Sequence, residues 1–156
     1  LISLKEMILR NFVSPQLPRE VVRKKIEKFP QFVKPHHSFH VLLFGSVTGR
    51  IFPTKELLEK CLIGWGKVEE IREKDKIKNE VIISSNSFLK KGKKYFLSKP
   101  KKRLVFWNKI FLPRLKKGDY VSTHWDWIVE VLNRRKINQL KKFTKLALKA
   151  FNNLNQ

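Results

Sequence analysis

Cys61 is the only cysteine of the chain, and His36, His37, His40 and His124 are its four histidines. These are the residue types that hold soft or borderline metals or do nucleophilic work. Structural zinc takes four ligands in recognisable pairs, usually with more than one cysteine. Neither CxxC nor HExxH occurs here. His36 and His40 would share a face of a helix, but Pro35 and the apolar run after it (FHVLLFGSV) predict a loop entering a strand. Zinc is therefore not expected. A Cys61–His124 pair has the right types for nucleophile and base, yet nothing in the spacing brings the two together. GxSxG and a Gly-rich phosphate loop are missing, and no pair of carboxylates stands in a suggestive setting. The expectation is a protein that is not an enzyme. Cys61 itself has two readings: a small hydrophobe at a helix end, or a soft ligand.

Charge is the second signal. The chain of 156 residues carries 35 Lys+Arg against 13 Asp+Glu, a net charge of +22. A field of this size attracts polyanions. A Lys-rich composition with basic solvated faces accounts for the same numbers. The tracts KKGKKYFLSKPKKR and FLPRLKK interleave cations with Tyr95, Phe96, Phe106 and Trp107. This suits RNA or single-stranded nucleic acid, held by Lys90, Lys91, Lys93, Lys94, Lys101, Lys102 and Arg103. Against it, strand alternation turns aromatics inward and leaves lysines in water. No motif for base readout accompanies the tracts.

The elements that must position these residues follow from pattern. With 42% hydrophobic and 12% aromatic residues the chain can build a core. A single cysteine rules out an intrachain disulfide and suits a reducing cytoplasm. The first residues, LISLKEMILRNF, do not read as a signal peptide. No apolar run approaches the ~20 residues of a membrane span. Leu4, Met7, Ile8 and Phe12 predict a helix over 3–12, opened by a Ser3–Glu6 capping box. Val21, Val22, Ile26 and Phe29 predict a second over 19–29. Thr54 caps a third, KELLEKCLI, that runs up to Cys61. Strands follow at Lys67–Ile71, Glu80–Ser85, Lys94–Leu97, Arg103–Trp107 and Tyr120–Thr123. Ile137, Leu140, Phe143, Ala147, Ala150 and Leu154 then mark an amphipathic terminal helix. Lys141, Lys142, Lys145 and Lys149 fall on its polar side. The expected fold is α+β: a small OB-like antiparallel β-barrel with a C-terminal helix, preceded by a short helical N-terminal region. The expected division is a helical or mixed segment over 1–60 and the barrel with its helix over 61–156.

Two stretches of that second part, taken in order, resemble a known family. Cys61-Leu62 is followed by Gly66-Lys67-Val68, Glu70 and Ile71. Later come Gly118-Asp119-Tyr120-Val121, His124, Trp127, Glu130 and Leu132. This is similar to the HypC-type chaperones of nickel–iron hydrogenase maturation, over about residues 61–156. The resemblance implies a cytoplasmic carrier of an iron centre that acts with a HypD-type partner and the hydrogenase large subunit. It implies Cys61 as the key iron ligand and His124 as a second contact. Trp65, Trp125 and Trp127 would form the wall that meets the partner, and the C-terminal helix would dock it. A basic surround is expected to favour the thiolate. The sequence departs from the family in three ways. Cys61 lies inside the chain instead of behind an initiator methionine, Trp65 replaces the usual proline before Gly-Lys, and a basic segment is added near residues 88–102.

Overall fold

A computed structural model describes residues 18–27, 37–39, 41–42 and 54–154. Four helices are labelled along them: α1 (Arg19–Glu27), α2 (His37–Phe39), α3 (Lys55–Cys61) and α4 (Arg134–Leu154). Seven strands lie between α3 and α4: β1 (Gly64–Arg72), β2 (Asn79–Ser85), β3 (Phe88–Lys91), β4 (Lys94–Leu97), β5 (Lys101–Trp107), β6 (Tyr120–His124) and β7 (Trp127–Val131). Five of them close a barrel in the order β1-β2-β5-β7-β6, and β3 and β4 form a separate hairpin. This is the small OB-like barrel with a C-terminal helix and a short helical lead-in. All barrel pairings are antiparallel except β5 with β7, which meet in parallel at Phe106 and Trp127.

Strand alternation sends Val68, Val81, Ile83, Val105, Trp107, Val121 and Ile128 into the barrel, with Leu115 from the β5–β6 loop among them. The same loop is fastened by the Trp107 indole, which donates to the Leu112 carbonyl at 3.0 Å. The lead-in builds a second core. Val22, Val41, Leu42, Leu58 and Leu62 pack with Phe88 and Tyr95 of the hairpin and Ala147, Leu148, Ala150 and Phe151 of α4. Outside the barrel wall, α4 lays Ile137 and Leu140 over Trp65.

The chemistry of the ends explains where the helices begin. Thr54 accepts from the Leu57 amide at 3.2 Å, and Asn133 accepts from the Lys136 amide at 2.9 Å, each satisfying an amide that the first turn leaves unpaired. Near its far end α4 holds the hairpin. The Asn152 amide group accepts from the Tyr95 N–H at 2.9 Å and donates to the Tyr95 carbonyl at 2.8 Å, as a neighbouring strand would.

Two glycines are required by space and backbone. A Cβ on Gly66 would meet Ile83 Cδ1 at 2.8 Å and the Ser84 carbonyl at 3.0 Å. Gly118 has φ +93°, which a side chain would strain. Gly66 lies opposite Val121 and Lys67 opposite Tyr120 in the β1–β6 ladder. The Val68 amide donates to the Asp119 carbonyl, and the Gly118 amide to the Val68 carbonyl. The Gly66-Lys67-Val68 and Gly118-Asp119-Tyr120-Val121 stretches are thus one paired element.

Three expectations change. Lys94–Leu97 belongs to the side hairpin and not to the barrel. Trp127–Val131, for which no strand is expected, supplies the barrel's fifth strand. Its hairpin turn escapes notice because Trp125 and Asp126 take φ +50° and +64° in place of the usual Asn-Gly. Val41 and Leu42 sit in a π-helical turn, next to the helical residues of α2, where a strand is expected. A short apolar run does not distinguish a buried helical turn from a strand. The helix expected over 3–12 lies outside the described residues, as do His36 and His40. Among the described residues no helix is long and apolar enough to cross a membrane.

Candidate functional site

Cys61 is the last residue of α3, three positions before β1 begins. A helix ends on carbonyls with no partner of their own. At this end two of them are taken by distant parts of the chain. The Lys60 carbonyl accepts from the Trp125 amide at 3.0 Å. The Cys61 carbonyl is 2.8 Å from His37 Nε2, which donates to it. α2 and the β6–β7 turn are thereby held at the same helix end.

His124 is the last residue of β6, one position before that turn. Its ring meets the His37 ring edge to face, with centres 5.4 Å apart. Burial lowers the His124 pKa, the neighbouring His37 lowers it further, and the Cys61 backbone acts in the opposite direction. Neutral imidazole is the form that binds metals. The fold therefore links Cys61 and His124, the two residues singled out by the sequence, through His37, which bonds the carbonyl of the first and packs on the ring of the second.

The thiol is half-buried and packs against the cluster formed by the lead-in and α4. Burial pushes its pKa up. This reverses the expectation of a basic surround that favours thiolate: desolvation outweighs the general positive field here. Among the described residues, no group of three His, Cys, Asp or Glu side chains gathers as a metal site.

The tryptophans separate. Trp125 is half exposed, stands beside His124 and has the Lys60 ammonium 5.9 Å above its ring. Trp127 packs on Phe106 outside the barrel, ring centres 5.6 Å apart. Trp65 is buried beneath α4, so its place in a partner-facing wall is corrected: the protein's own helix covers it. The apolar side of α4 is spent on the same contacts, which leaves Lys142, Lys145 and Lys149 exposed.

The seven cations assigned to nucleic acid also divide. Lys90, Lys91, Lys93 and Lys94 surround the tip of the β3–β4 hairpin, whereas Lys101, Lys102 and Arg103 are on barrel strand β5. Arg103 turns to the Thr123 hydroxyl at 3.3 Å and Asp126 at 3.7 Å, away from the outer face.

His37 is the participant that sequence reasoning missed. It reads as one of three loop histidines, and no local pattern connects it with a position 24 residues away. Comparison places residues 6–156 in one family. The chain belongs to DUF6390, a family of unknown function. No curated protein and no solved structure matches it.

Proposed function

We propose that this DUF6390 protein is a HypC-like metallocentre-assembly chaperone, or a diverged relative of that group, which binds cargo and partner without turnover of its own. The observation that supports the reading is that His37 bonds the Cys61 carbonyl at the end of α3 and packs on the His124 ring, which brings the two residues singled out by the sequence to one end of that helix. The paired Gly66-Lys67-Val68 and Gly118-Asp119-Tyr120-Val121 stretches add support, because they set β1 against β6.

Iron enters as cargo. A thiolate is a soft ligand and imidazole suits iron as well. One cysteine and one histidine hold a metal loosely, which leaves positions for a HypD-type partner and lets the cargo go. The raised thiol pKa fits such a cycle. Without metal the sulfur keeps its proton, and binding of a cation displaces it.

Cys61→Ala and His124→Ala in the full chain test this, with anaerobic ferrous iron binding and pull-down of a HypD-type protein as readouts. Loss of both with Cys61→Ala, and weakening with His124→Ala at unchanged circular dichroism, is the expected result. Unaltered iron uptake and partner capture in Cys61→Ala would end the proposal.

A further inference from the structure

The geometry points to a second surface, on the outer wall of the barrel, that binds a single-stranded polynucleotide. It runs round the outside of the closed barrel from β6 through β1 and β2 to β5, beyond the part of the wall that α4 covers.

Strand register builds it. Tyr120 of β6 is opposite Lys67 of β1, Lys67 is opposite Ser84 of β2, and Ser84 is opposite Lys102 of β5. These four form one cross-strand row, about 14 Å long at the usual strand spacing. Tyr120, Lys67 and Lys102 are all exposed. From the edge of α4, the Lys141 ammonium lies 5.8 Å from the Tyr120 ring. Two pairings further along the strands, the half-exposed Leu104 stands opposite Ile82. Beyond it Phe106 stacks with Trp127 and has the Lys78 ammonium 4.3 Å from its ring.

An aromatic ring thus stands at each end of this path round the barrel, with a lysine ammonium near its face. A single strand offers unpaired bases at intervals along a line of phosphates, so stacking and charge pairing are satisfied together. Carboxylates are present, and two of them are already held. Glu70 is bonded by Arg72 at 2.6 Å and Glu80 by Lys74 at 2.6 Å. Among the described residues no carboxylate forms an ion pair with Lys67, Lys78 or Lys102. An acidic protein would find the charge but would make no use of the rings.

The test is fluorescence anisotropy of the full chain with a labelled oligouridylate. Four phosphate contacts, from Lys67, Lys78, Lys102 and Lys141, predict a slope of log affinity on log salt of about −3. Lys67→Gln with Lys102→Gln should weaken binding about tenfold and make the slope shallower by about 1.4. The charge-matched control, Lys142→Gln with Lys145→Gln on the exposed side of α4, should change affinity by less than about twofold. Tyr120→Ala should cost about tenfold at unchanged circular dichroism. Equal losses from the two double variants, or full affinity in Tyr120→Ala, would overturn the proposal and leave only general attraction to polyanions. Equal affinity for an RNA duplex or for polyglutamate would do the same.

Discussion

His37 and His124 face one another edge to face at 5.4 Å, and His37 is bonded to the carbonyl of Cys61. The contact joins a helical segment of the lead-in to the barrel's β6–β7 hairpin across the end of α3. It therefore couples the protonation of the site to the stability of the fold.

Acid should loosen this junction. The His124 pKa is lowered in the folded state, mainly by burial. The unfolded chain then binds the proton more readily than the native one, so stability rises with pH in that window. The contribution is complete above the unfolded value of about 6.5 and is lost as pH falls from there through the folded value. Urea midpoints measured across this range should fall toward low pH, and His124→Gln should flatten the fall. An equally steep fall in the variant would show that the proton goes elsewhere.

The thiol should be slow to react. Burial raises the Cys61 pKa, so its alkylation rate should keep rising with pH beyond the ~8.5 of a free cysteine. Unfolding in urea at neutral pH should accelerate modification. Fast labelling of the native protein near pH 7 would show a thiolate.

Gly66→Ala should damage the fold more than its size suggests. The new methyl meets the Ile83 side chain and the Ser84 carbonyl inside the barrel wall. Overpacking of this kind costs about 1–3 kcal/mol, and thermal melting will register it. The lysine beside it is a useful contrast: Lys67 is exposed, and Lys67→Gln should shift stability by no more than about 0.5 kcal/mol.

Trp125 should exchange stability for function. Its φ of +50° is strained for a bulky side chain, and half of its surface is exposed beside His124. Trp125→Asn relieves about 1 kcal/mol of left-handed strain and loses a weak contact with Lys60. The melting temperature should rise slightly while capture of the partner falls. A variant that is both more stable and fully active would remove Trp125 from the site.

Much of the barrel is readable from the chain because burial alternates regularly on β2 and Gly66 and Gly118 mark a close approach and a turn. The α3 cap at Thr54 and the run of α4 are equally plain, since side-chain capping and helical spacing are local. β7 is not plain, because its turn is made by two residues that rarely take positive φ. Tyr95 looks like a barrel residue, yet it belongs to a hairpin that α4 holds through Asn152. Of the site, Cys61 and His124 stand out by type and order. The part played by His37 depends on a tertiary contact that no spacing rule contains.

The pairing of Gly64 with Thr123 and of Lys67 with Tyr120 has a consequence for how the chain is made. During synthesis β2 follows β1 closely and covers one of its flanks. The other flank stays an open edge until the segment through His124 has emerged. Closing so long a loop must precede the contacts that reward it, which slows folding. Throughout that interval Trp65 stands uncovered on β1, waiting for a helix that is synthesised after every strand of the barrel, and the charge of Lys67 beside it discourages another chain from pairing there.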